Sequence, residues 1–367
     1  MRARMYTGHG RRRAAGFSLI EMMVAVMIGL IGTVVIFQVF AVFEGQKRTT
    51  TSAGDAQQNG LLALSALERD ARMAGYGLSA SPLLGCSVTS YDSTGTRNFS
   101  FTLAGVQITQ GASGAPDTVT FVYGTSPLLV YPAVLSATAA AGASTSKAPV
   151  YGFFKNDLVV FGQNTSTPLG ACNLRQLTAV PPGSSASDAL DHTDGARYNK
   201  SGGLITSYVA WDQTTQTGGM MLDLGPAPPA SGAPVVATYS ISSAQLMYQN
   251  LLSDSTSSAI ADGIVQLKAQ YGYDANGDGT IQSTEWTNTA PAAWSRVIAV
   301  RLAVLSRSAQ PEAPDPTTLL CNTTTTAPTW YGGTIDPSVP DPTTWKCYRY
   351  RLFQTQVPIR NLIWFPQ

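Results

Sequence analysis

Charge is scarce in this chain: only 12% of its 367 residues are Asp, Glu, Lys or Arg. Ser, Thr, Gly and Ala fill the difference, a profile that suits an extracytoplasmic or assembly-bound protein better than a cytosolic enzyme. Histidine is nearly missing, with only His9 and His192, and the four cysteines, Cys86, Cys172, Cys321 and Cys347, make no C-x-x-C pair. That inventory excludes a zinc site of the finger type. A G-x-S-x-G elbow and a phosphate-binding glycine loop are also lacking, which removes the usual frames of serine hydrolysis and nucleotide chemistry. Asp191, His192 and Asp194 stand close in sequence, but with no elbow serine to serve they read as a polar loop. No nucleophile–base pair or catalytic metal set is visible, and an enzyme is not expected. Proline does not occur before Pro82, so nothing forbids a very long first helix.

What is present begins with an asymmetry. Arg2, Arg4, Arg11, Arg12 and Arg13 precede the first acidic residue, Glu21, and without the first sixteen residues 18 basic residues face 22 acidic ones, a net charge of −4. The remainder carries no basic patch of the kind nucleic acid requires. Residues 22–43 hold no charge and little polarity beyond Thr33 and Gln38. A membrane-spanning helix needs about 20 apolar residues, and flanking arginines stay cytoplasmic, which places everything after Phe43 outside. A cleaved signal peptide has a shorter apolar core ending in an A-x-A-like site, and none follows here. Beyond Gly45 the chain turns polar, yet Leu61, Leu64, Leu67 and Met73 keep a helical stripe, with Leu62 close to it and Glu68, Arg69, Asp70 and Arg72 on the other face. One helix over 17–74 is therefore expected, roughly 85 Å long at 1.5 Å per residue, stopping at Gly75-Tyr76-Gly77. Gly29 and Gly32 are the places where it would soften.

Glu21 is out of place at the start of a membrane helix, where a carboxylate marks function by default. The block Gly16-Phe17-Ser18-Leu19-Ile20-Glu21 resembles the processing site of type IV prepilins. The resemblance implies cleavage between Gly16 and Phe17 by a prepilin peptidase, N-methylation of Phe17, and pairing of Glu21 with the Phe17 amine of a neighbouring subunit. A carboxylate and an ammonium neutralise each other where neither is tolerable alone. Segments 67–77, 157–180, 271–279, 294–308 and Arg360-Asn361 are similar to successive landmarks of PilW-type minor pilins. Residues 90–150 and the Thr-rich stretch after Cys321 look particular to this protein.

The family resemblance implies a minor pilin that primes a type IV pilus and sits at or near its tip, with other minor pilins, the major pilin and a tip-associated adhesin as partners. The inner membrane would hold the chain before assembly, with the head in the periplasm and later at the cell surface. A pseudopilin of a type II secretion system and a surface adhesin with a pilin-like anchor are the alternatives. Four N-x-[ST] sequons, at Asn98, Asn164, Asn199 and Asn322, carry little meaning in the prokaryotic host that a prepilin signal implies.

The expected organisation is a basic leader (1–16), a filament-core half of the helix (17–43), a soluble half (44–78) and a β-rich head (79–367). Residues 117–123 and 157–161 read as strands, 265–273 as a half-buried strand by its alternation, and 296–305 as a more deeply buried one. Tyr348, Tyr350 and Leu352 alternate near the end. The fold class is α+β: a long helix packed on an antiparallel sheet with large loops such as 136–147 and 181–187. Trp330, Tyr331, Trp345, Tyr348 and Tyr350 read as packing residues rather than a sugar-binding face.

Within the head, residues 274–285 match D-x-[DN]-x-[DN]-G-x₅-E at every specified position. Calcium takes six to eight oxygens. Asp274, Asn276 and Asp278 would each give a side-chain oxygen, Thr280 its carbonyl, Gln282 a contact through water, and Glu285 both carboxylate oxygens. Gly279 permits the turn and Ile281 is free to point inward. No entering helix precedes the loop, so a structural Ca2+ is expected rather than a sensor. The four cysteines of an exported chain imply disulfides, with three connectivities open to sequence alone. Cys321 with Cys347 would close a short Thr-, Pro- and Gly-rich loop, leaving Cys86 with Cys172.

Overall fold

Without proline to break it, the first element runs as one α-helix, α1, over Leu19–Met73. The computed structural model describes residues 16–78, 82–128, 131–165, 171–182, 189–339 and 341–363; the arginine cluster of the leader lies outside them. Helical structure continues through Gly29 and Gly32 without a break. The chain divides into two compact units, one up to Thr51 and one from Ser52 onward.

Strands of the head, in chain order, are β1 (Ser87–Asp92), β2 (Arg97–Thr102), β3 (Val106–Thr109), β4 (Thr118–Tyr123), β5 (Ala133–Val134), β6 (Thr145–Lys147), β7 (Asp157–Asn164), β8 (Cys172–Gln176), β9 (Ala189–Asp191) and β10 (Gly218–Pro226). They continue with β11 (Val235–Ser242), β12 (Gln245–Asn250), β13 (Ser258–Asp262), β14 (Ile264–Tyr273), β15 (Trp286–Thr287), β16 (Val297–Arg307), β17 (Thr329–Trp330), β18 (Gly333–Thr334) and β19 (Tyr350–Pro358), before the short helix α2 (Arg360–Ile363). Three sheets dominate, ordered β2-β1-β8-β7-β10-β5, β13-β12-β11-β4-β3 and β15-β14-β16-β19. Pairing in these three is antiparallel except for β1 with β8, which run parallel.

The head half of α1 packs differently from the expected leucine stripe. Its buried residues are Ser52, Ala56, Gly60, Ala63, Leu67, Asp70 and Ala71, whereas Leu61, Leu62 and Met73 are exposed. The reason is distance. A Cβ on Gly60 would lie 2.2 Å from the Phe353 ring of β19, so only small residues let the helix approach this closely. Ala63, Leu67 and Ala71 share one core with Phe121 of β4, Tyr239 of β11, Tyr271 of β14 and Val300 of β16. Asp70, read as solvent-facing, is 1% exposed and accepts a 2.7 Å hydrogen bond from the Tyr239 hydroxyl.

The helix ends where Gly75 takes φ +79°, a conformation that costs glycine little. Three of its last carbonyls, those of Arg72, Met73 and Ala74, accept from Asn361 Nδ2 at 3.2–3.4 Å. An amide arriving from the other end of the chain thus satisfies groups that helices leave orphaned.

Strand β14 also departs from expectation. Alternation predicts one wet face, yet Gln266 is fully buried and Gln270 nearly so. Leu267, Ala269 and Tyr271 face the core shared with α1. The opposite face is covered by the segment carrying Trp330 and Ile335, which packs with Val265, Ala303 and Leu305. Gln266 Nε2 donates to the carbonyls of Gly114 and Asp336, so its polarity serves the cover rather than water.

Candidate functional site: the start of α1 and the loop after β14

At the amino end, Ser18 and Glu21 form a reciprocal cap. Glu21 Oε2 accepts from the Ser18 amide at 3.0 Å, and Ser18 Oγ accepts from the Glu21 amide at 3.3 Å. This capping box satisfies two of the donors a helix start leaves bare and sets the carboxylate against the positive end of the helix dipole. Gly16 and Phe17 lie just before it, with Phe17 86% exposed. Every large apolar side chain from Phe17 to Phe43 is exposed. Among the described residues, α1 is the one helix long and apolar enough to cross a membrane, and none of that stretch is buried by the rest of the chain. Apolar surface on this scale marks a partner or a bilayer.

The loop 274–285 closes a hairpin, since β15 returns to pair with β14 through Tyr271–Thr287 and Gly272–Trp286. Asp274 organises it from within: Oδ1 accepts from the Gly277 and Asp278 amides and Oδ2 from the Gly279 amide, at 2.7–3.1 Å. Glu285 closes the far end on the amides of Ala275 and Gln282. Asp278 accepts from the Thr280 hydroxyl and amide and from the side-chain amides of Asn276 and Gln282. These bonds, the Thr280 hydroxyl's above all, hold the Asp278 carboxyl down at about 2. Gly277 and Gly279 have φ of +76° and +78°. Ile281 is half-buried and reaches over Gly272.

The donor chemistry suits calcium, because Asp274, Asn276, Asp278, Thr280, Gln282 and Glu285 offer oxygen alone. Among the described residues, however, no group of three or more His, Cys, Asp or Glu is placed to hold a metal ion. A calcium set here would therefore need the Asn276 amide and the Thr280 carbonyl as well as the carboxylates.

Disulfides join Cys86 to Cys172 and Cys321 to Cys347. The first is buried where β1 meets β8 and the second holds the segment covering β14. His192 is 0% exposed, shares a 2.9 Å hydrogen bond with Ser146 Oγ, and is pushed down to about 4 by burial and by nearby Arg175. With Ser146 also buried, the pair is closed to a substrate. Sequence reading passed over Arg175 of β8, a fully buried side chain. Its Nη atoms donate to the carbonyls of Lys200, Gly203 and His192 and to Asp194. The one available signal was Asp194, a carboxylate close along the chain that could pair with it. Of the aromatics, Trp330 lies near the Arg301 guanidinium and Tyr348 lies 4.2 Å beneath Arg307, while Tyr331 is exposed.

A helix apolar and unpartnered over its first half, with a β-rich head packed on its second half, defines a pilin-like, membrane-anchored subunit. Residues 11–37 match the prokaryotic N-terminal methylation motif, and residues 235–361 match the family Type IV Pilus-assembly protein W. The two matches, one at each end, support a PilW-type pilin of type IV pili and together cover less than half of the chain. The second match covers 271–279, 294–308 and Arg360-Asn361, and it also runs across the Thr-rich stretch after Cys321. No curated protein matches the chain. Among solved structures it is similar to a type IV-like pilin from Thermus thermophilus, at 10% identity over 84% of this chain and 97% of that one, with a TM-score of 0.30.

Proposed function

We propose that this protein is a minor pilin that primes assembly of a type IV pilus and is incorporated at or near its tip. The observation that carries the reading is the amino half of α1, whose apolar side chains find no partner among the described residues. Prepilin peptidase would cut between Gly16 and Phe17 and methylate the new terminus. Glu21 would then leave the Ser18 amide for the Phe17 ammonium of a neighbouring pilin, exchanging a hydrogen bond charged on the acceptor alone for one charged on both partners. The head would wait in the periplasm while the helix sits in the inner membrane, and reach the surface with the pilus.

A position at the tip is supported by the region between α1 and the PilW match. It adds the whole β2-β1-β8-β7-β10-β5 sheet to the head. A subunit repeated along a filament must pack that bulk above and below itself, and one at the end need not. The loop 274–285 would hold a structural Ca2+.

Gene deletion tests the reading. Loss of surface pili with secretion intact is the expected result, and loss of secreted enzymes with pili intact would make the chain a pseudopilin. Glu21→Ala should insert normally but enter filaments at least about tenfold less, consistent with the 3–5 kcal/mol of a broken low-dielectric ion pair. Incorporation at the wild-type level would overturn the pairing.

A further inference from the structure

The sheet outside the PilW match carries a cavity of about 220 Å3 between its outer face and the loop 198–205. Strand register puts Thr89 of β1 beside Asn173 of β8 and Tyr91 beside Asn98, so these side chains share the face that the loop covers. Tyr198 and Leu204 add apolar wall.

Two lining side chains, Asn173 at 5% and Arg175 at 1% exposure, each hold a polar atom without a hydrogen-bond partner: Asn173 Oδ1 and Arg175 Nε. Their remaining side-chain polar atoms each have a partner. Asn173 Nδ2 donates to the Thr89 carbonyl, and the Arg175 Nη atoms are held by the loop and by Asp194. Buried polar atoms left unpaired are costly, and native proteins rarely keep them without a reason.

The unpaired set contains one acceptor and one donor. A phosphodiester, acceptor on all sides at neutral pH, would repel Asn173 Oδ1. A sugar hydroxyl both donates and accepts, and so answers both atoms. Lys200, which also lines the cavity, is exposed, and among the described residues its ammonium meets only the neutral Asn98 amide, at 3.2 Å. Arg175 is already matched by Asp194, so Lys200 leaves one positive charge without a counter-charge.

We propose that this cavity binds one acidic sugar residue, with its carboxylate on Lys200 and its ring hydroxyls on Asn173 and Arg175. The site gives the head a ligand of its own and does not depend on where in a filament the subunit stands.

The test uses the full chain in detergent, titrated with D-glucuronate and with D-glucose and followed by NMR or calorimetry. Saturable glucuronate binding is expected, with glucose weaker by about fivefold, the value of one solvent-exposed ion pair. Lys200→Ala should bring glucuronate down to the level of glucose at an unchanged melting temperature, because Lys200 is a surface side chain. Asn173→Ala should weaken both sugars. The proposal is overturned if neither sugar saturates, which would mean that ordered water alone fills the cavity. It is equally overturned if the two bind alike, or if glucuronate affinity survives Lys200→Ala.

Discussion

Gly60→Ala and Gly54→Ala place the same methyl on the same helix, six residues apart, and the structure separates their outcomes. Around Gly54 a Cβ meets nothing within 4 Å, so the change acts through helix propensity alone and should stabilise the head by about 1 kcal/mol. At Gly60 the same gain is opposed by the Phe353 ring, 2.2 and 2.4 Å from the new carbon, and by Ser306 Oγ at 3.0 Å. Ring carbons need roughly 3.5–4.0 Å, so Phe353 must move by more than 1 Å. Overpacking of this kind costs about 1–3 kcal/mol.

Gly60→Ala should thus fall below Gly54→Ala by that amount. For a domain of this size that is a difference of roughly 2–6 °C in melting temperature. Thermal unfolding in detergent, read by circular dichroism, measures it. Phe353→Leu should recover part of the loss in Gly60→Ala by vacating the ring's place. If both alanines stabilise equally, α1 does not lie against β19 as described.

Three further outcomes follow from the head. Burial, reinforced by the neighbouring Asp223 carboxylate, raises Asp157 to about 7. A folded-state value above the unfolded one of about 3.9 means stability is full below pH 4 and lost as pH rises through 7; Asp157→Asn should flatten unfolding curves across that window, and an unchanged slope would refute the assignment. Calcium binding to the loop 274–285 should raise the wild-type melting temperature, by about 2.7 kcal/mol in stability at a hundredfold excess over Kd. Glu285→Ala should abolish the rise, and equal melting with calcium and with chelator would reduce the loop to a turn. Closing loops of 86 and 26 residues, the disulfides contribute about 4.6 and 3.5 kcal/mol on chain-entropy grounds. Cys86→Ser with Cys172→Ser should therefore cost more than Cys321→Ser with Cys347→Ser, as denaturant midpoints will report.

The amino end was legible because its signal is local: Gly16, Phe17 and Glu21 lie within six residues, and hydropathy marks the helix that follows. The loop 274–285 was legible for the same reason, as a contiguous run of oxygen donors. What escaped depends on partners far along the chain. Asp70 reads as surface until Tyr239 and Tyr123 arrive from β11 and β4. Gln266 and Gln270 read as the wet side of β14 until the Trp330–Ile335 segment folds over them. Gly60 carries no pattern, since what gives it meaning is Phe353, almost three hundred positions later. The six-stranded sheet was least visible, because its β5 has only two residues and its β1–β8 pairing is bridged across intervening chain.

The three carbonyls held by Asn361 also fix an order of events. Synthesis runs from the amino end, so α1 emerges first and its head half must wait for β19 and for Asn361, which follows Met73 by 288 residues. Until then Ala63, Leu67 and Ala71 have no complete surface to lie against, and the helix end stays ragged. A chain stopped at Arg360 would hold every described strand and still have an open helix terminus. The arrival of Asn361, rather than any early hydrophobic collapse, is what closes this helix end.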